Sequence, residues 1–218
     1  TQSIHYVDST GQPMKDAQGQ QLPDDVQKVN LSQTGVKDLV TDTVDWNGEW
    51  TTGSYQLVTS PTVPGYSPNQ DQVTGTTVTT SNELVAKNQD TLVVITYAPD
   101  EESVTVRYQT ADGTPLASSE TQTGSYGSDY TTSAKEIPGY HLTTTPTNAK
   151  GTYTADTPDV IYVYAPDEES VTVRYQTADG TALISSDKQT GDYGSDYTTS
   201  AKEITGYHLV KVPTNATG

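Results

Sequence analysis

Fifteen tyrosines and two tryptophans carry most of the chemistry this sequence could offer, since it has no phenylalanine, no cysteine and only three histidines. A tyrosine ring presents a flat apolar face to sugar C–H groups and a hydroxyl tip for hydrogen bonds. The same ring can fill a small core while its hydroxyl stays wet. Position helps to separate the two readings. Tyr108, Tyr162 and Tyr164 fall on apolar-alternating stretches and read as core. Tyr126 and Tyr130, with their later copies Tyr193 and Tyr197, lie in a Gly-rich loop, where both readings stay open. Trp46 and Trp50, in Asp45-Trp46-Asn47-Gly48-Glu49-Trp50, are the other loop candidates for ligand binding, with one of the pair expected to pack inward.

The remaining reactive types form no constellation. His5, His141 and His208 stand apart, and the plentiful Ser and Asp residues show no nucleophile–base spacing. No enzyme and no catalytic residue is therefore expected. Asp100-Glu101-Glu102 and Asp167-Glu168-Glu169 cluster carboxylates that could take a hard cation such as Ca²⁺, with Asp100, Glu101, Asp167 and Glu168 as the candidate ligands. The Asp-x-Asp-x-Asp-Gly loop pattern is absent, however, and acidic runs are commonly solvated linkers. The expectation is no metal and no cofactor, with Ca²⁺ at these two places as the alternative.

A net charge of −17 makes nucleic acid and anionic membranes poor partners, because both select clustered Lys and Arg. No apolar run approaches the length of a membrane span. No signal peptide or anchor segment is visible, so the sequence reads as part of something longer. Only 31% of residues are hydrophobic, which suits small β units better than one large core. Without cysteine there are no disulfides and no internal thioester. A cysteine-free, Thr-rich, acidic chain reads as a bacterial surface or secreted protein.

The elements that must position these residues come in copies. Asp100 to Gly113 recurs unchanged as Asp167 to Gly180, and roughly four residues in five stay identical to the end of the chain, at a step of 67 positions. A more distant copy opens the chain. Ile4 to Met14 follows the pattern of Val106 to Leu116, and Val63-Pro64-Gly65-Tyr66 that of Ile137-Pro138-Gly139-Tyr140. Boundaries at Ala-Pro-Asp-Glu-Glu-Ser predict domains 1–99, 100–166 and 167–218.

Within residues 100–166, Val104, Val106 and Tyr108 alternate with Thr105, Arg107 and Gln109, the period of a half-buried strand. Ala111-Asp112-Gly113 makes the turn, and further strands are predicted at Leu116–Thr123 and Tyr140–Thr145. Ser133 to Glu136 has capping-box spacing, but Pro138 limits any helix to about one turn. Val160-Ile161-Tyr162-Val163-Tyr164 is apolar or aromatic on both faces and belongs in the middle of a sheet. A last strand lying centrally and parallel to the first is the β-grasp (ubiquitin-like, α+β) arrangement, and a mostly-β fold of this kind is predicted. An antiparallel β-sandwich is the alternative. Residues 167–218 carry no counterpart of Val160 to Tyr164. An unfilled central slot and an exposed edge are expected there, with weak order or completion by a neighbouring chain.

Val-x-Val-x-Tyr-x-x-x-x-Gly-x-x-Leu, then Gly-x-Tyr-Gly-x-x-Tyr, then Ile-Pro-Gly-Tyr, resembles the MucBP repeat of lactic-acid-bacterial mucus-binding surface adhesins. Residues 100–166 and 167–218 carry it, with Thr205 in place of the proline in the last copy. Residues 1–99 are similar to the longer B2-type domain of such proteins, through Ile4 to Pro13, the Trp46/Trp50 stretch and Val63-Pro64-Gly65-Tyr66. The resemblance implies β-grasp-like domains in elongated tandem arrays (a monomeric rod), an extracellular, cell-wall-anchored location, and adhesion to mucin glycoproteins or host glycans. Some relatives bind immunoglobulin. It transfers no binding residue. Sialylated or sulfated mucin repels a chain at −17, so the expected mechanism is weak short-range contact multiplied by repetition. A pure stalk and an immunoglobulin-binding protein are the alternatives.

Overall fold

A computed structural model describes residues 1–78 and 90–218. They group into two units, residues 1–103 with 123–129 and 152–157, and residues 104–122, 130–151 and 158–218.

The first unit carries β1 (Gln2–Asp8), β2 (Asp25–Gln27), β3 (Val36–Lys37), β4 (Val44–Asp45), β5 (Gly53–Tyr55), β6 (Val58–Thr59), β7 (Tyr66–Pro68), β8 (Gln72–Val73), β9 (Thr76–Val78) and β10 (Thr91–Pro99). Its main sheet runs β2-β1-β10-β7. β1 and β10 are parallel, with Ile4 opposite Val93 and Tyr6 opposite Ile95. Alternation then sends Ile4, Tyr6, Ile95 and Tyr97 into one buried cluster with Met14, Leu22, Val63 and Val73. The short pairs β3–β4, β5–β9 and β6–β8 complete the unit.

The later strands are β11 (Glu101–Thr110), β12 (Pro115–Ser125), β13 (Asp129–Thr131), β14 (Tyr140–Thr144), β15 (Lys150–Thr152), β16 (Val160–Pro166), β17 (Glu168–Val173) and β18 (Asp187–Asp192). The order β12-β11-β16-β14 places β16 centrally, and its pairing with β11 is parallel, Tyr108 lying opposite Tyr162. The predicted turn holds: Gly113 takes φ +89° and its amide donates to Thr110 O at 2.9 Å. Val104, Val106, Tyr108, Val160, Tyr162 and Tyr164 are all buried.

The fold is mostly β, as expected, and the parallel pairing of first and last strands excludes a purely antiparallel sandwich. The α component of the α+β expectation is corrected, for no helix occurs among the described residues. At Ser133–Glu136, Pro138 denies the chain a second turn, and the Tyr164 hydroxyl takes over the backbone of Lys135 instead. It accepts from the Lys135 amide at 2.9 Å and donates to the Lys135 carbonyl at 2.8 Å. Tyr162 secures the same segment through Thr132, hydroxyl to hydroxyl at 2.9 Å. Tyr108 stacks on Tyr162 at 5.8 Å, and its hydroxyl donates to Glu120, which also pairs with Lys135 at 2.6 Å. In the first unit Tyr97 donates to Pro61 O and Tyr6 to Asp25, each at 2.6 Å. Rings fill the core and hydroxyls fasten what covers it.

Residues 167–218 reach only part of this arrangement. β17 pairs with β18 alone among the described residues, and nothing from Asp167 onward is buried. Val171 and Val173, counterparts of the buried Val104 and Val106, are half-buried. Full burial of such a side chain contributes about 1.5–3 kcal/mol. An open hollow lies beside Val173, Tyr175 and Lys202, between the β17–β18 pair and residues 198–202.

Burial, with Glu120 adding to it, pushes the Tyr108 hydroxyl up to about 12. Burial and the Asp25 carboxylate also raise Tyr6, and burial raises Tyr97. In the unfolded chain these groups titrate near about 10. The fold thus favours their neutral forms, a contribution complete below about pH 10 and lost as pH climbs through about 12. Alkaline titration is therefore expected to show the last tyrosinates forming together with loss of the β-sheet signal. Complete tyrosinate formation near about pH 10 with the sheet intact would contradict it.

Candidate functional site

Residues 32–51 of the first unit form a long hairpin around β3 and β4. Its base is closed by the Thr51 amide donating to Ser32 O at 2.8 Å and the Ser32 amide donating to Thr51 Oγ1 at 2.8 Å. Gln33 and Trp50 face each other across a bridge, and Gln33 Nε2 donates to Gly48 O at 2.8 Å. At the tip the Asp38 amide donates to Thr43 O, while the Asp38 carboxylate accepts from the Val40 amide at 2.7 Å. That bond, with help from Thr41, holds the Asp38 carboxyl below the usual aspartate range. Asp42 adopts φ +56°, which a short polar side chain tolerates, and receives Lys37 at 2.6 Å.

A turn tied in this way cannot tuck its apolar residues inward. Leu39 is 87% and Val40 94% exposed, with Val36 and Val44 exposed below them on the same hairpin. Trp46 follows, 60% exposed. Its ring edge lies over Gly35, where a Cβ would come within 2.9 Å of Cε3. One side of the indole is supported by backbone and the rest meets solvent. Trp50 is half-buried and lies outside the buried core. Leu39 and Val40 escaped notice in the sequence. Their signal was two apolar residues enclosed by the turn-forming Asp38 and Asp42.

The tyrosine candidates separate. Tyr130 is buried at 6%, its hydroxyl donating to Asn148 O at 3.2 Å and its ring lying on Gly151. Tyr197 copies the arrangement, bonding Asn215 O at 3.2 Å, with less cover. Tyr126 is half-buried and meets Tyr66 edge-on at 5.6 Å, within the first unit. Tyr193 is 46% exposed and meets Tyr140 edge-on at 5.8 Å, within the second. None of the four comes together with Trp46 or Trp50 in a common cleft among the described contacts.

The acidic candidates are engaged singly. Asp100 accepts from Ser67 Oγ at 2.6 Å, and Asp167 meets His141 Nδ1 at 2.8 Å. Glu101 and Glu168 open β11 and β17 and are exposed. Among the described residues no three His, Asp or Glu side chains gather into a cation cage. His5 lies 3.4 Å from Asp24, also at the surface.

Copies of a one-faced sheet, with hydroxyls and carboxylates committed to turns and covers, define a tandem β-repeat protein. A profile of the MucBP domain matches residues 103–165 and 170–218, and one of the Muc B2-like domain matches residues 1–101; the chain belongs to the MucBP-domain family. Internalin J of Listeria monocytogenes serotype 4b is 45% identical over 120 residues, 54% of this chain and 13% of that protein. Internalin J of serovar 1/2a is 36% identical over 169 residues, 76% of this chain and 20% of that protein. The chain thus spans a fifth or less of these curated relatives. Among solved structures, the mucin-binding domain of a Streptococcus pneumoniae protein is 31% identical with a TM-score of 0.35, covering 45% of this chain and 87% of that one.

Because Asp100 and Asp167 already hold neighbouring side chains, the melting midpoint is expected to be the same with calcium and with chelator. A rise in midpoint with calcium would assign the acidic runs to cation binding.

Proposed function

We propose that this chain is a segment of a bacterial cell-surface adhesin that holds mucin glycoproteins through weak contacts multiplied along its repeats. Membership of the MucBP family supports the class, and the mucin-binding domain from Streptococcus pneumoniae supports the ligand. The single observation that carries a contact site is the Trp46 indole, supported on Gly35 and open to solvent on the β3–β4 hairpin. Residues 100–166 and 167–218 have no tryptophan, so this site belongs to the longer B2-type copy, and its multiplication requires further copies of that type. A rigid aromatic face offers a sugar ring apolar contact at little entropic cost.

Charge sets the conditions. At −17 the chain is repelled by sialylated or sulfated mucin at neutral pH, so adhesion depends on short-range contact and avidity. Simultaneous engagement of several sites raises apparent affinity by about 10²–10⁴ over a single site. As pH falls, protonation of carboxylates weakens the repulsion. The hydrogen-bonded turn carboxylates keep their contribution to the fold through that change. Hydrogen bonds hold Asp8, Asp38, Asp112 and Asp179 below the usual aspartate range. A carboxyl depressed in the folded state stabilises above its unfolded value, about 3.9, and loses that contribution only as pH drops further, through its folded value.

Retention on immobilised mucin is expected to be stronger at about pH 4.5 than at about pH 7.4. Trp46→Ala should weaken it several-fold without moving the melting midpoint. Equal or weaker binding at the acid value would remove the electrostatic part of the proposal. Loss of no binding in Trp46→Ala would remove this contact. Absence of binding to native mucin, deglycosylated mucin and immunoglobulin alike would leave the chain a spacer.

A further inference from the structure

The Gly-x-Tyr-Gly and Pro-Gly-Tyr motifs meet. In the first unit the Tyr126 ring lies on Gly65, where an added Cβ would stand 2.3 Å from Cδ2 of the ring. In the second unit the Tyr193 ring lies on Gly139, and a Cβ there would stand 2.4 Å from Cδ1. The backbone bonds repeat as well. Asp100 N–H donates to Gly65 O at 2.9 Å, and Tyr126 N–H donates to Asp100 O at 2.8 Å. Asp167 N–H donates to Gly139 O, and Tyr193 N–H to Asp167 O, both at 2.8 Å. Each tyrosine also meets the turn's own tyrosine edge-on, Tyr66 at 67° and Tyr140 at 70°. Two sites with the same three backbone residues and the same ring contact are a device, not an accident of packing.

We infer that the Gly-x-Tyr-Gly loop is a clasp: its tyrosine closes on the Pro-Gly-Tyr turn of the preceding copy and fastens the acidic Ala-Pro-Asp-Glu-Glu segment to that turn. Strands end at Pro99 and Pro166 and begin again at Glu101 and Glu168, so Asp100 and Asp167 are the residues between strands that the clasp holds. The clasp adds an aromatic pair, two backbone hydrogen bonds and a side-chain bond from Asp100 or Asp167. It also gives glycine a second duty at positions 65 and 139. All three turn glycines need positive φ, +77° at Gly65, +80° at Gly139 and +86° at Gly206. Among the described residues only the first two are also covered by a ring, and no described residue packs within 4 Å of a Cβ on Gly206. Gly206 is thus an internal control that separates backbone strain from ring contact. The joint works independently of what, if anything, the surface binds. Tyr126 and Tyr193 are assigned to it and not to a ligand.

The test is limited proteolysis of the full chain with a glutamate-specific protease, reading cleavage at Glu101–Glu102 and at Glu168–Glu169 by mass. Tyr193→Ala and Gly139→Ala are expected to speed cleavage at the second place about ten-fold, and Tyr126→Ala to do so at the first. Gly206→Ala, equally strained, should leave both rates unchanged. Tyr193→Phe should stay closed, since the ring makes the contact. Unchanged cleavage in Tyr193→Ala would overturn the clasp. So would an acceleration in Gly206→Ala equal to that in Gly139→Ala. Amide exchange in β1 and β10 for Tyr126→Ala, and in β11 and β16 for the variants at 139, 193 and 206, reports whether a variant has lost its fold instead, and protection there must match the parent for the comparison to stand.

Discussion

A sheet with one covered face must satisfy the backbone of whatever covers it, and here the cover is not a helix. A helix bonds its own amides internally, whereas an irregular segment depends on groups that reach it from the core. Tyrosine supplies both parts of the answer. Its ring buries apolar area as phenylalanine would, and its hydroxyl arrives at the rim of a thin core where the covering backbone passes. Tyr164 on Lys135, Tyr97 on Pro61 and Tyr130 on Asn148 are three instances of this arrangement. Phenylalanine at these three positions would leave those carbonyls and amides unpaired at a cost of about 1–3 kcal/mol each.

The same economy shapes the surface. With the sheet tyrosines fastened inward, Trp46, Tyr193 and Tyr207 are the exposed large aromatic side chains among the described residues. Trp46 is held out by its hairpin: Asp38 caps the tip and Gly35 makes room for the indole.

Much of this was legible in the sequence. Period-two alternation through Val104, Val106 and Tyr108 located β11, and the two-sided apolarity of Val160 to Tyr164 placed β16 in the middle of its sheet, parallel to β11. Asp112-Gly113 marked its turn. The helix suggested at Ser133 was misleading because capping-box spacing describes only local options, and Tyr164, 29 residues away, offered the backbone a better one. The site was less legible. Tyr126 and Tyr130 share one loop and one residue type, yet one rests on a turn glycine and the other fills the core. What decides between them is a contact with Gly65 or Gly151, glycines that carry no mark of being covered. Leu39 and Val40 read as ordinary apolar residues until the hydrogen bonds of Asp38 show that their turn cannot invert.

The most direct measurement is amide exchange at Lys135 in Tyr164→Phe, read beside Tyr193→Phe in the full chain. If tyrosine hydroxyls hold the cover, Lys135 loses about 1–3 kcal/mol of protection and exchanges roughly 5- to 150-fold faster in Tyr164→Phe, while Tyr193→Phe leaves it unchanged. Lys135 exchanging at the parent rate in Tyr164→Phe would show that ring burial alone secures the segment, and the account built on the hydroxyl would fail.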